Sequence, residues 1–139
     1  MKIISWNVNG IRAVERKEEL GKFIKKYDPD VVCFQETKAQ PEQLDKIKEK
    51  YSDYEQYYHS AEKKGYAGTG IWIKKTLPKH EMVTGMTMRD DNEGRVSRVD
   101  VNGYSILGVY FPNGGKSNDA WEDKLVFYEH FLETVNDLR

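Results

Sequence analysis

The chain has 139 residues, a formal net charge of -1, a hydrophobic content of 38% and a mean hydropathy of -0.79. This length predicts one domain, nine tyrosines within a 12% aromatic content argue against disorder, and no apolar run is long enough to span a bilayer. The near-zero charge excludes a global basic field, so any contact with a phosphate backbone must be local.

In chain order, Met1-Lys2-Ile3-Ile4-Ser5 enters a strand instead of a signal peptide. Trp6-Asn7-Val8-Asn9-Gly10 follows at its end. Leu20, Phe23, Ile24 and Tyr27 then fall at the spacing of one apolar helix stripe. Asp28-Pro29 stops that helix, because a residue before proline is disfavoured in the helical conformation. Val31-Val32-Cys33-Phe34 predicts a second, buried strand, followed by Gln35-Glu36-Thr37-Lys38. Cys33 is the only cysteine, so it makes no intrachain disulfide and reads as a core residue of an intracellular, cytoplasmic protein.

Strand, helix and strand in this order predict a crossover unit with parallel strands. Their carboxyl ends then share one edge of the sheet, where ligands of open α/β sheets bind. Asn7 and Glu36 are therefore expected on one rim, an amide and a carboxylate of the kind that a hard cation and a phosphodiester need. Taken singly, each also reads as an ordinary turn or loop residue.

Pro41 is placed to open a short helix with Leu44, Ile47 and Tyr51 on one face. Tyr54 to His59 reads as a strand, and Lys63-Lys64-Gly65-Tyr66-Ala67-Gly68-Thr69-Gly70 as a glycine-rich loop. Strands are expected at 71–73, 82–84, 96–101 and 105–111, the last two joined by the hairpin signal Asn102-Gly103. After Pro112-Asn113-Gly114-Gly115, a final helix carries an apolar stripe of Trp121, Leu125, Tyr128, Leu132 and Val135. Asp119 and Glu122 suit the dipole of its first turn. His59, His80 and His130 show no metal-ligand spacing and read as structural or exposed.

Residues 1–13, with Ser5-Trp6-Asn7-Val8-Asn9-Gly10 at their centre, resemble the opening of the exonuclease III family of abasic-site (AP) endonucleases. Gln35-Glu36-Thr37-Lys38 resembles its second motif, and Gly108-Val109-Tyr110-Phe111-Pro112-Asn113-Gly114 its third. Gly65-Tyr66-Ala67-Gly68 and Gly94-Arg95-Val96 fall where that family has similar residues. The resemblance implies a deoxyribonuclease I-like α/β fold, a four-layer sandwich of two mixed sheets flanked by helices. It also implies metal-assisted phosphodiester hydrolysis on double-stranded DNA at abasic sites and 3′ ends.

Carried over by position, the resemblance makes Glu36 a ligand of Mg²⁺, with Mn²⁺ as an alternative, since both accept oxygen donors. Asn7 would orient the carboxylate or phosphate, or join the metal site, but cannot deprotonate water. Tyr110 would present its phenol to the scissile phosphate, against a competing reading as a packed strand aromatic. Asn9, where some relatives have an aspartate, would act through a metal-bound water or shape the turn. Asn113 would donate to a phosphate oxygen, and Arg95, Tyr66 and Lys116 would position the DNA backbone or be ordinary surface residues. Lys63-Lys64 reads as a solvated pair.

Relatives also carry a Gly-Asp-x-Asn segment and a late Ser-Asp-His segment, and neither is found here; the one Ser-Asp, Ser52-Asp53, precedes Tyr54. The chain is therefore expected to be the N-terminal half of such a domain over residues 1–139, without its C-terminal half. On that expectation it is weakly active or inactive alone, and exposes an apolar sheet face that a second sheet should cover. It would then self-associate or need a complementary C-terminal half. A non-catalytic or split-protein module binding metal or nucleic acid is the competing reading. A phosphomonoesterase or sphingomyelinase-type relative is a third, which the Trp6-to-Gly10 and Tyr110-to-Asn113 motifs disfavour.

Overall fold

A computed structural model describes residues 1–78, 80–86 and 90–139. Strand β1 (Ile3–Asn7) lies parallel to β2 (Val31–Gln35), with Asn7 opposite Gln35. β3 (Tyr54–His59) and β4 (Thr69–Lys74) pair antiparallel, and β4 also runs antiparallel to β2. The result is a mixed four-stranded sheet in the order β1-β2-β4-β3. A second sheet, of three antiparallel strands, is formed by β5 (Glu81–Thr84), β6 (Val96–Val101) and β7 (Tyr104–Val109) in that order. The β6–β7 hairpin turns at Asn102 (φ 53°) and Gly103 (φ 76°), the positive angles that Asn-Gly supplies at little cost.

The crossover between β1 and β2 is two helices instead of one. α1 (Ile11–Arg16) and α2 (Glu19–Tyr27) are separated by Glu18, whose φ of 60° breaks the helical path. α1 escaped the periodicity reading because Ile11 and Val14 are its only buried apolar residues. α2 ends at Asp28, driven out of the right-handed region before Pro29, but into a left-handed conformation (φ 42°, ψ 56°). The helix expected from Pro41 is likewise divided. Pro41–Gln43 forms a 3-10 turn in which Gln40 and Gln43 cap each other, and α3 (Asp45–Lys50) begins beyond it.

Alternate residues of β2 feed two cores. Val32 and Phe34 join Trp72, Tyr54 and the helix residues Ile11, Val14, Leu20, Leu44 and Ile47 on one face. Val31 and Cys33, with Ile71 and Ile73, pack against Val99, Val101 and Ile106 of the second sheet on the other. Both faces are buried, which is why β2 reads as a continuous apolar run without alternation. The expectation of an uncovered sheet face is therefore corrected. The strands near residues 82–84, 96–101 and 105–111 are themselves the covering layer, and nothing in strand periodicity says to which sheet a strand belongs. Thr69 and Ser97 share a buried hydroxyl hydrogen bond of 2.6 Å between the sheets. The layers approach closely at Gly108, where an added Cβ would sit 3.3 Å from the Cys33 Cβ.

β7 ends at Val109, two residues earlier than the sequence suggested. Tyr110 N–H still donates to Arg95 O at 2.8 Å, but Pro112 has no N–H to extend the ladder. α4 (Asn118–Asn136) starts at Ser117, whose Oγ accepts from Ala120 N–H at 3.1 Å. Phe111 packs edge-on against Phe127 and Phe131 and tilted against Tyr128, joining the loop to this helix. Phe127 and Thr134 are buried, whereas Trp121 (52% exposed), Leu125 (43%), Tyr128 (41%) and Leu132 (60%) face outward. Exposed apolar surface thus lies along α4, and a smaller share at Met1, Ile3 and Tyr104 on the sheet edges. No described helix is long and apolar enough to cross a membrane.

Candidate active site

Beyond the ends of β1 and β2 the chain continues to pair through its loops. Val8 N–H donates to Gln35 O (3.1 Å), Gly10 N–H to Glu36 O (2.7 Å) and Ile11 N–H to Thr37 O (3.1 Å). On the other side, Thr37 N–H donates to Gly68 O, Lys38 N–H to Ala67 O, and Gly68 N–H to Glu93 O. Four loop segments are laced into one rim by backbone groups alone. Along it Asn9 (φ 46°), Glu36 (φ 53°) and Lys38 (φ 49°) hold left-handed conformations that are uncommon for residues with a Cβ.

This rim brings Asn7 and Glu36 together as the sequence predicts. Asn7 Nδ2 donates to Glu36 Oε1 at 2.8 Å, and Asn7 Oδ1 accepts from Asn9 N–H at 3.1 Å. Asn7 thus turns its amide nitrogen toward the carboxylate, and its oxygen accepts one backbone N–H. Lys38 Nζ lies 2.5 Å from Asn9 Oδ1 and 3.4 Å from Glu36 Oε2. The Tyr110 phenol, one residue past the end of β7, comes close enough to Glu36 to favour its charged form. Partial burial pushes the Glu36 carboxyl up, but the donors Asn7, Tyr110 and Lys38 together outweigh it and hold the carboxyl below its ordinary value. Burial, and then the hydrogen bond to Glu36, push the Tyr110 phenol up against the opposing charge of Arg95.

Arg95 is buried, at 6% exposed, so its reading as an ordinary surface residue is corrected. Its guanidinium reaches Glu93 Oε2 (2.5 Å), Tyr110 O (3.2 Å) and the Tyr66 hydroxyl (3.1 Å), and stacks 4.8 Å from the Tyr110 ring centre. Burial opposes its charge, and Glu93 more than compensates, raising its pKa. Asp91 fixes the backbone here, accepting from Arg95 N–H and Val96 N–H. Sequence reasoning missed Asp91 and Glu93, because acidic residues in a polar loop give no periodic signal.

Tyr66, Arg95, Tyr110, Asn113 and Lys116 line a pocket of about 230 Å³, so the predicted DNA-positioning residues converge in space. Asn113 Oδ1 accepts from Gly115 N–H at 2.9 Å, which leaves its amide nitrogen as the group available to donate. Lys116 is exposed. Lys63 and Lys64 are both exposed, and Lys63 lies over the Tyr66 ring at 5.3 Å. His59 Nδ1 is tied to Val96 O (2.9 Å) and Asp91, and His80 to Pro78 O, as structural residues.

Among the described residues no group of three or more His, Cys, Asp or Glu side chains could hold a metal. A Mg²⁺ site that keeps several waters needs only one or two carboxylates, and an ionised Glu36 at a loop rim fits that chemistry. A softer metal relying on nitrogen or sulfur donors does not fit these residues.

A model of the endonuclease/exonuclease/phosphatase family matches residues 4–138. The exodeoxyribonuclease of Bacillus subtilis is 38% identical over 135 residues, which cover 92% of this chain and 52% of that protein. The DNA-(apurinic or apyrimidinic site) endonuclease of Dictyostelium discoideum is 38% identical over 144 residues, covering 98% of this chain and 38% of its own length. An AP endonuclease structure from Archaeoglobus fulgidus superposes with a TM-score of 0.81 at 24% identity, over 99% of this chain and 51% of that one, a likeness of fold. The chain spans about half or less of the length of these relatives.

Proposed function

This chain belongs to the endonuclease/exonuclease/phosphatase family, and on that premise we propose that it is part of a DNA-repair phosphodiesterase acting inside the cell at abasic sites and 3′ ends of double-stranded DNA. The observation that carries this reading is the ionised Glu36, held by Asn7 and the Tyr110 phenol, beside a pocket lined by Tyr66, Arg95, Asn113 and Lys116. Glu36 would hold Mg²⁺, or Mn²⁺, which when bound supplies a Lewis acid for the phosphate and its leaving oxygen.

The chain's own residues do the rest. Asn7 fixes the carboxylate and Asn9 the turn behind it. Tyr110 places a neutral phenol at the rim, whose single O–H serves either Glu36 or a phosphate oxygen. Asn113 and Lys116 take the neighbouring backbone, with Tyr66 beside them. Among the described residues no group of three or more His, Cys, Asp or Glu side chains includes Glu36, and the Gly-Asp-x-Asn and Ser-Asp-His segments that would supply a general base are not found in residues 1–139. Little cleavage is therefore expected from this chain without a complementary half, because groups that act as a unit fail together. A non-catalytic module binding metal or nucleic acid through the same residues is the alternative.

The deciding experiment is strand scission of a duplex with one abasic site, with Mg²⁺ and with chelator, comparing this chain and Glu36→Ala. Cleavage no greater than the Glu36→Ala background, alongside Mn²⁺ binding that Glu36→Ala abolishes, supports the reading. Robust Glu36-dependent cleavage would place a complete site within these residues and overturn the need for a second half. Loss of Glu36-dependent metal binding would sink the phosphodiesterase reading itself.

A further inference from the structure

Lys38 does not extend into solvent as a loop lysine commonly does. Its backbone is fixed on both sides, by Lys38 N–H on Ala67 O (2.9 Å) and by Arg12 Nη2 on Lys38 O (3.3 Å). Its side chain, about one-third exposed, returns to the rim, with Nζ 2.5 Å from Asn9 Oδ1 and 3.4 Å from Glu36 Oε2. Asn7 takes the other carboxylate oxygen. An ammonium group therefore stands at the acceptor oxygens that a hard cation would seek. Asn9 is neutral, so Lys38 and Glu36 form a locally balanced pair with no excess negative charge to attract a second cation.

We propose that Lys38 is a tethered counter-ion of Glu36 that a divalent cation must displace, so that Lys38 sets the concentration at which the site loads. This rests on the reading of Glu36 as the metal carboxylate. Asn9 Oδ1 is the acceptor that holds the ammonium in place, and it is released to accept from another donor when Lys38 leaves. Neutralising Lys38 removes the competitor and leaves one uncompensated negative charge.

The test uses the full chain and Mn²⁺ alone, with free Mn²⁺ read by electron paramagnetic resonance. Lys38→Gln is expected to tighten Mn²⁺ about three- to tenfold, the scale of one partly exposed ion pair and its lost repulsion. Lys38→Arg should stay within twofold of the parent. Lys64→Gln, which makes the same change in net charge at an exposed lysine outside the rim, should also stay within twofold. In the unsubstituted chain, the Lys38 side-chain NMR signals should move toward those of a free lysine as Mg²⁺ is added, a readout that requires no variant to fold. Unchanged or weaker binding in Lys38→Gln, or Lys38 signals that stay fixed at saturating Mg²⁺, would overturn the proposal while Glu36-dependent binding persists. Absence of Glu36-dependent binding in both proteins would remove the reading beneath it, and the proposal with it.

Discussion

Asn7 donates to Glu36 across 29 residues of sequence, and the 2.8 Å contact is made possible by parallel pairing that ends with Asn7 opposite Gln35. The carboxylate is thus oriented by the register of a half-exposed edge strand, β1, on the fully buried β2, with the Tyr110 phenol approaching from beyond the other sheet.

Removing either donor should raise the Glu36 pKa. Hydrogen bonds to a carboxylate favour its charged form, so Asn7→Ala or Tyr110→Phe leaves partial burial less opposed. Carboxyl ¹³C NMR titration checks this, and a downward or absent shift in both variants would refute the account. The stability linkage has a definite sign. Because the folded pKa is lowered, the Glu36 contribution is present above the unfolded value and is lost as pH falls through the folded one. Glu36→Gln should therefore flatten the acid limb of a urea-denaturation series.

Gly94 tests the backbone beneath Arg95. Its φ is 62°, and a Cβ there would lie 2.1 Å from the His59 carbonyl oxygen. Gly94→Ala is expected to cost more than about 2 kcal/mol, seen as a clear fall in the unfolding midpoint. Gly65, at φ 69° with nothing within 4 Å of an added Cβ, gives the matched control. Gly65→Ala should cost only the conformational strain of about 1 kcal/mol.

Much of this arrangement was legible in the sequence. The pairing of Asn7 with Glu36 follows from strand, helix and strand, because right-handed crossover chemistry leaves few alternatives. The layering was not legible. Periodicity identifies residues 96–101 and 105–111 as strands, but Val99 and Ile106 meet Val31 and Ile73 only through a change of sheet after β4. The outward face of α4 was misread for a similar reason. Trp121, Leu125, Tyr128 and Leu132 repeat as a core stripe would yet stay exposed, while Phe127 and Thr134, which fall off that stripe, are the buried residues of the helix.

Burial pushes the Cys33 thiol up to about 11. A group that ionises later in the folded state binds more protons there, so stability should fall as pH rises from about 9 toward 11. Relative to Cys33→Ala, that decline is worth on the order of 2–3 kcal/mol by the two-unit displacement from 9.0. Denaturation of both proteins at pH 8 and pH 10.5 measures it; parallel curves would contradict it. The same burial predicts that a thiol reagent modifies Cys33 only as fast as the chain opens.

The apolar face of α4 should drive concentration-dependent association. Leu132 is 60% exposed and Trp121 52%, on a helix whose other side is already packed. Sedimentation velocity should show the average mass rising with concentration, and Leu125→Glu with Leu132→Glu should suppress the rise. A parent chain that stays monomeric throughout would argue that this face has no such role.

The close approach at Gly108 turns a core contact into a ruler for the rim. Gly108 lies two positions before Tyr110 on β7 and opposite Cys33, three positions before Glu36 on β2. The separation of the sheets at these two small residues therefore fixes how far a phenol on one layer stands from a carboxylate on the other. Residues 33 and 108 share one allotment of volume. A gain in bulk at Gly108 would press on Cys33 and Ile71 together, and any resulting shift of the sheets would be felt at the rim.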